Sequence, residues 1–205
     1  MTITIFHAPR TRSIRVRWLL EEMGLDYDLH RVEFTRGDVG GEDYRKITPL
    51  QKVPAIKDGD VVMVESIAIL QYITRRYGPT ELAPMAEDAA YPDYLQYLHF
   101  GESGMNIYVS MLLGHTALLP EEQRVPGIAK WAEAETRKCL GVIDHGLKGH
   151  DWLAADRFTA ADISVGYMLF LLKLIGKLEP TATPAIMDYW ERLTAREGWK
   201  AAAAD

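Results

Sequence analysis

Residues 52–73 read KVPAIKDGDVVMVESIAILQYI, and the order of signals within them decides the fold. Two short runs rich in apolar residues, PAIKD and DVVMVE, flank an Asp-Gly pair, the strongest short-range signal for a β-hairpin. The second run leads through Glu65-Ser66 into Ile67, Leu70, Ile73 and Tyr77, whose spacing is that of an amphipathic helix. Ser66, just ahead of the apolar residues, is placed as the helix N-cap, and Glu65 as the end of the strand. Val53-Pro54 opens the first strand of the hairpin, where proline costs no ladder hydrogen bond. Local preference there is for a trans bond, since only about 5–6% of X-Pro bonds in folded proteins are cis.

Upstream, TITIFH alternates with β-branched residues and reads as a strand. Val16, Leu19, Leu20 and Met23 then mark one face of a helix, with Gly24 at its C-cap. YDLHRVEF is a second strand, and β-α-β implies a parallel pair joined by a right-handed crossover. The segment around EDYRKI gives no defined element. The order βαβ then ββα makes a compact α/β sandwich over residues 1–79.

Downstream the texture changes. GPTELAPMAEDAAYP is rich in proline and acid and suits an exposed linker, placed at 80–90, ahead of an all-helical domain over 91–205. YPDYLQYLHFGESGMNIYVSMLLG reads as one long helix, and another follows Pro126-Gly127. A third starts at FTAADIS, where Thr159 caps, Asp162 answers three residues on, and Phe158 with Ile163 forms a hydrophobic staple. The last predicted helix runs from about Pro184 to Ala195.

Composition narrows the function. The 205 residues are 48% hydrophobic with a net charge of −6, and no basic stripe with interleaved aromatics marks a nucleic-acid surface. The most apolar run, ISVGYMLFLLKLIG, contains Lys173 and is shorter than the ~20 residues that cross a bilayer. With no basic-then-apolar leader at the N-terminus, the expectation is a cytoplasmic protein that does not engage membranes. The single cysteine, Cys139, excludes an internal disulfide and a Cys-x-x-Cys pair and reads as a small core hydrophobe. No histidine pattern suggests a metal site.

Chemistry concentrates at HAPRTRSIRVRW, which joins the first strand to the first helix at the carboxyl end of the sheet. Arg10, Arg12, Arg15 and Arg17 crowd a helix start, where the macrodipole already favours negative charge. One reading pairs Arg17 with Glu21 and leaves the others solvated; the other has helix amides and an arginine holding an anion. Thr11 or Ser13 is the N-cap in both readings, and either hydroxyl can donate to a thiolate or oxyanion. Glu65 and Ser66 likewise suit either a helix start or the grip on an α-amino-acid group.

Taken together, TPLQKVPAIKDGDVVMVESIAILQYI, HAPRTRSIRVRWLLEEMGLDYDL and FTAADIS resemble the glutathione S-transferases, nearest to serine-type bacterial and fungal members. The resemblance spans essentially the whole chain. It implies an α/β thioredoxin-like N-terminal domain, an all-α C-terminal domain, a homodimer, and conjugation of glutathione, the co-substrate, to small hydrophobic electrophiles. It also implies a cis Pro54 with Val53 pairing the cysteinyl unit, Glu65 and Ser66 on the γ-glutamyl end, and Lys52 at the glycyl carboxylate. Thr11 falls at the serine position, with Ser13 second and Arg12 an electrostatic helper; Glu102 is a candidate for the ammonium of glutathione, across a dimer. The catalytic tyrosine of other members has no counterpart at Phe6-His7-Ala8, and Gln51 stands where many relatives have glycine. Tyr94, Tyr97, His99, Phe100, Met105 and Tyr108 are read as core or as the wall of the electrophile pocket. The same scaffold also suits a non-catalytic glutathione-binding protein, or glutathione-dependent peroxidase, isomerase or dehalogenase chemistry.

Overall fold

The structure, a computed structural model, describes residues 2–35 and 38–204. The chain forms two compact units, one running to Thr80 and resuming from Ala195, the other spanning Glu81–Thr194.

The first unit begins β1 (Ile3–His7), α1 (Ser13–Met23), β2 (Tyr27–Arg31) and a short antiparallel pair, β3 (Phe34–Thr35) with β4 (Asp38–Val39). It continues α2 (Gly41–Ile47), β5 (Ala55–Asp58), β6 (Val61–Val64) and α3 (Ser66–Arg76). The sheet order is β2-β1-β5-β6, with β1 and β2 parallel and the other pairs antiparallel. Phe6 and Ala8 pack with Val32, Tyr44, Val53 and Ala55 in one apolar cluster. Side chains alternate along a strand, so Ile3, Ile5 and His7 point to the opposite face, and all three are buried. Gly24 caps α1 in the left-handed conformation, its amide donating to Glu21 O at 3.1 Å. The hairpin pairs Asp58 with Val61 across a Gly59-Asp60 turn, Gly59 taking φ +59°. Both oxygens of Asp58 accept hydroxyl bonds, from Tyr72 and Tyr77, each 2.8 Å, which fastens the hairpin to α3.

The helix over Gly41–Ile47 occupies the segment that showed no sequence pattern. It buries only Tyr44, so no 3.6-residue stripe exists to be read. Its charges do suit a helix, with Glu42 and Asp43 in the first turn and Arg45 and Lys46 in the last.

The second unit holds α4 (Tyr91–His99), α5 (Asn106–Leu113), α6 (Pro126–Gly146), α7 (Ala160–Leu174) and most of α8 (Pro184–Ala195). The single long helix expected over residues 91–114 is instead interrupted by a π-helical turn, Phe100–Gly104, and a second π-turn follows at Gly114–Leu118. The first π-turn lies close against α7: a Cβ on Gly101 would lie 2.4 Å from Ser164 Oγ and 2.6 Å from its carbonyl oxygen. The predicted capping box is present at α7, with Ala161 N donating to Thr159 Oγ1 and Thr159 N donating to Asp162 Oδ2. Cys139 is buried, and burial pushes its thiol pKa up. Among the described residues no helix is long and apolar enough to cross a membrane.

Two boundaries differ from the sequence reading. Residues 81–90 are not a free linker: Leu82 and Pro84 are buried, Leu82 O accepts from Ala160 N at 2.9 Å, and Arg157 pairs with Glu81. Nor does the helical unit extend from 91 to the C-terminus. A short helix, α9 (Glu197–Ala202), belongs to the first unit, where Trp199 meets Trp18 edge-on at 4.9 Å and Arg196 binds both Glu22 oxygens at 2.8 and 2.6 Å. Six residues are too few for periodicity to announce them.

Candidate functional site

Strand register gathers the candidates of the first unit at one end of the sheet. Phe6 pairs with Ala55 and Ala55 with Val64, so the end of β1, the Val53-Pro54 entry to β5 and the β6 to α3 junction are neighbours.

In the loop after β1, the expected side-chain N-cap is absent: Arg12 holds the N-cap position of α1 and makes no side-chain capping bond. Thr11 and Ser13 turn their hydroxyls into the loop instead. Thr11 Oγ1 donates to Ala8 O at 2.7 Å and lies 2.7 Å from Ser13 Oγ, which lies 2.8 Å from His7 Nδ1. Ser13 Oγ also has Ala8 N at 3.3 Å and Ala8 O at 3.2 Å, while Ser13 N donates to Thr11 Oγ1 at 3.4 Å. Ser13 and His7 are both 0% exposed, whereas Thr11 keeps part of its surface open. Of the two, only Thr11 keeps exposed surface. His7 was missed as a member of this cluster. Its signal was its place on the inward stripe Ile3, Ile5, His7, where a polar side chain needs a partner.

The arginines also depart from expectation. Arg15 is not solvated but 0% exposed, and its Nη1 donates to Ser66 Oγ at 3.1 Å, tying the start of α1 to the start of α3. Arg17 Nε donates to the Tyr27 hydroxyl, which in turn donates to Glu21, so Arg17 and Glu21 meet through a tyrosine.

Val53-Pro54 is cis, against the local preference and as the resemblance implies, and both residues are buried. Lys52 is exposed, with its carbonyl accepting from the Tyr44 hydroxyl at 2.8 Å. The preceding Gln51 adopts φ +48°, a conformation natural to glycine. Its side chain donates to Val39 O at 3.0 Å and accepts from Arg45 Nε at 3.1 Å, anchoring the loop to β4 and to the last turn of α2.

At α3 the cap is shifted by one residue. Glu65 holds the N-cap position at φ +72°, ψ +104°, and Ser66 is the first helical residue, so Ser66 does not cap. Its hydroxyl serves Arg15 instead, and the Glu65 side chain is exposed. Glu102 belongs to the second unit, in the π-turn, where it accepts from Asn106 Nδ2 at 2.9 Å. In that unit Tyr94, Tyr97 and Met105 are buried core, His99 is exposed, and Phe100 and Tyr108 are half-buried.

A family model for the glutathione S-transferase N-terminal domain matches residues 1–75, and one for the C-terminal domain matches residues 109–197. Glutathione S-transferase 3 of Schizosaccharomyces pombe is 32% identical over 179 residues, 82% of this chain and 73% of that protein. The chain belongs to the glutathione S-transferase family. Among solved structures, Ure2p5 from Phanerochaete chrysosporium, cocrystallised with 1-(S-glutathionyl)-2,4-dinitrobenzene, is 26% identical with a TM-score of 0.82, covering 99% of this chain and 93% of that one. A glutathione transferase homologue from Lodderomyces elongisporus, with two GSH per subunit, matches the fold at a TM-score of 0.89 and 20% identity, covering 100% of this chain and 98% of that one. The glutathione S-transferase fold of the sequence reading, a thioredoxin-like α/β domain followed by a helical one, is thus the fold found. Every first-unit candidate of this glutathione S-transferase family member lies within the N-terminal domain match, while Glu102 falls between the two matched stretches.

Proposed function

We propose that this family member binds glutathione in its first unit and activates the thiol for attack on small hydrophobic electrophiles, with Thr11 as the hydroxyl donor. The observation that carries the choice is the contrast in the first loop: the Ser13 hydroxyl is fully buried among His7, Ala8 and Thr11, while Thr11 stands part-exposed at the start of α1. Thr11 then takes the place held by serine in the serine-type members that the loop resembles, with Arg12 adding positive charge.

The same loop and helix starts support the binding half of the proposal. Arg15 donates to Ser66 Oγ, which leaves the Ser66 proton for a ligand carboxylate and puts a buried cation behind it. Glu65, exposed beside Ser66, suits the ammonium of the γ-glutamyl group. The backbone of Val53, next to the cis Pro54, suits the cysteinyl unit, and exposed Lys52 suits the glycyl carboxylate. Glu102 is proposed for the ammonium of a partner's glutathione in a homodimer.

A free thiol titrates near pH 8.5, and each unit of depression is ~1.4 kcal/mol of thiolate stabilisation. A hydroxyl donor, helix amides and a guanidinium all stabilise that anion. The thiol proton passes to solvent, the thiolate pair forms a carbon–sulfur bond, and the leaving group departs with its own pair. The thioether cocrystallised with Ure2p5 is the product such a reaction gives from a halodinitrobenzene, which supports this reading. Calorimetric titration with glutathione and a chlorodinitrobenzene conjugation assay test it. Saturable binding with turnover is expected; binding without turnover would leave only a glutathione-binding protein, and no binding at millimolar glutathione would end the proposal.

A further inference from the structure

We propose that His7 and Ser13 are positioning residues that make the Thr11 hydroxyl a donor only, so that it stabilises the thiolate form of a bound thiol and not the neutral thiol. This rests on the reading of Thr11 given above. Three short contacts run in series: His7 Nδ1 to Ser13 Oγ at 2.8 Å, Ser13 Oγ to Thr11 Oγ1 at 2.7 Å, and Thr11 Oγ1 to Ala8 O at 2.7 Å. Each needs one proton, because oxygens at that separation repel without one. Ala8 O has no proton to give, so Thr11 supplies the last contact. Ser13 must then supply the middle one, and His7 Nδ1–H the first. The alternative bond from Ser13 Oγ to Ala8 O at 3.2 Å leaves one of the two 2.7 Å oxygen pairs bare.

The consequence lies at Thr11. Its Oγ1 receives Ser13 Oγ–H and, at 3.4 Å, Ser13 N–H, which occupies both acceptor sites of a hydroxyl oxygen. What remains is its own proton, held by Ala8 O at 2.7 Å in this structure; an arriving sulfur competes with that carbonyl for it, and the Thr11–Ala8 contact lengthens when the proton turns to the sulfur. A hydroxyl that cannot accept takes no bond from S–H, and its own donation is much stronger to S⁻ than to the weakly accepting sulfur of a neutral thiol. Bonds in series also polarise one another, so the His7 end strengthens the donor at the Thr11 end.

The test is the titration of glutathione bound to the full chain, followed by the ultraviolet band of the thiolate. Ser13→Ala and His7→Leu should each raise the midpoint by about half a pH unit. His7→Asn, whose amide N–H stands where the Nδ1–H was, should restore it. Glutathione affinity at a pH where the thiol is protonated should stay the same in all three, which a merely structural lesion would not preserve. Unshifted midpoints in both Ser13→Ala and His7→Leu, with a raised one in Thr11→Ala, would overturn the relay and leave Thr11 in place. An unshifted Thr11→Ala would overturn the assignment of Thr11 and the relay with it. Should the buried variants fail to fold, nitrogen NMR of His7 in the unaltered protein still decides: a protonated Nδ1 is expected, and a bare Nδ1 accepting from Ser13 would overturn the chain of donors.

Discussion

Two helix starts in this protein are built from similar residues and finished in opposite ways. At α7, Thr159 and Asp162 close the capping box, and Asp162 further accepts from Leu153 N at 3.1 Å and the Tyr189 hydroxyl at 2.8 Å, with both capping residues 0% exposed. At α1, Thr11 and Ser13 bond into their own loop, the N-cap position passes to Arg12, and Thr11 stays part-exposed. The first arrangement is sealed in the interior; the second lies at the surface of its unit, where the proposed thiol would meet Thr11.

That contrast breaks most visibly at Asp162. Asp162→Ala leaves two backbone amides and a tyrosine hydroxyl without their buried acceptor, and a loss of about 4 kcal/mol is expected, read as a lower urea midpoint. An equally stable variant would show that the box is not what holds α7. Thr11→Ala should do the reverse, lowering kcat/KM for conjugation by about two orders of magnitude with little change in thermal midpoint. A stability loss without an activity loss would make the two helix starts alike.

The contrast sharpens with pH. Burial, only partly offset by its hydrogen bonds, pushes Asp162 from 3.8 up to about 6, so the folded state holds this proton more tightly than the unfolded chain. Its contribution to stability is therefore fully present below pH 4 or so, falls between that and about 6, and is level above. Asp162→Asn should remove that slope, about 1.4 kcal/mol per pH unit at its steepest, when urea midpoints are compared across the window. A parallel pair of pH curves would refute it. The smallest effect is expected at Gln51. Gln51→Gly relieves a left-handed backbone but loses the anchors to Val39 and Arg45, so the two changes of about 1 kcal/mol should nearly cancel. Gln51→Ala keeps the strain, loses the anchors, and should be the less stable of the two by about 1 kcal/mol.

The same division explains what the sequence made legible. The hairpin, the βαβ crossover, the Gly24 cap and the box at Thr159 are local patterns, each written within a few residues, and each is present. What escaped depends on partners far along the chain. The burial of Arg15 needs Ser66, the close packing of Gly101 in the π-turn involves Ser164, and α9 needs Trp18 and Glu22. Ser66 was misplaced by one position because Glu65 accepts a positive φ that nothing in its identity advertises. Within the candidate site, Thr11, Ser13, Glu65 and Ser66 were visible as residue types in a suggestive order. Which hydroxyl is buried, and that His7 stands behind it, depended on the packing of β1 against the loop.

Whether the hydroxyl of part-exposed Thr11 acts on a bound thiol is decided by the pH titration of the thiolate absorbance of glutathione in complex with the unaltered protein and with Thr11→Ala. A midpoint well below the ~8.5 of a free thiol is expected for the former, and a return toward that value, with binding retained, for the latter. Identical midpoints in the two proteins would contradict that role for Thr11.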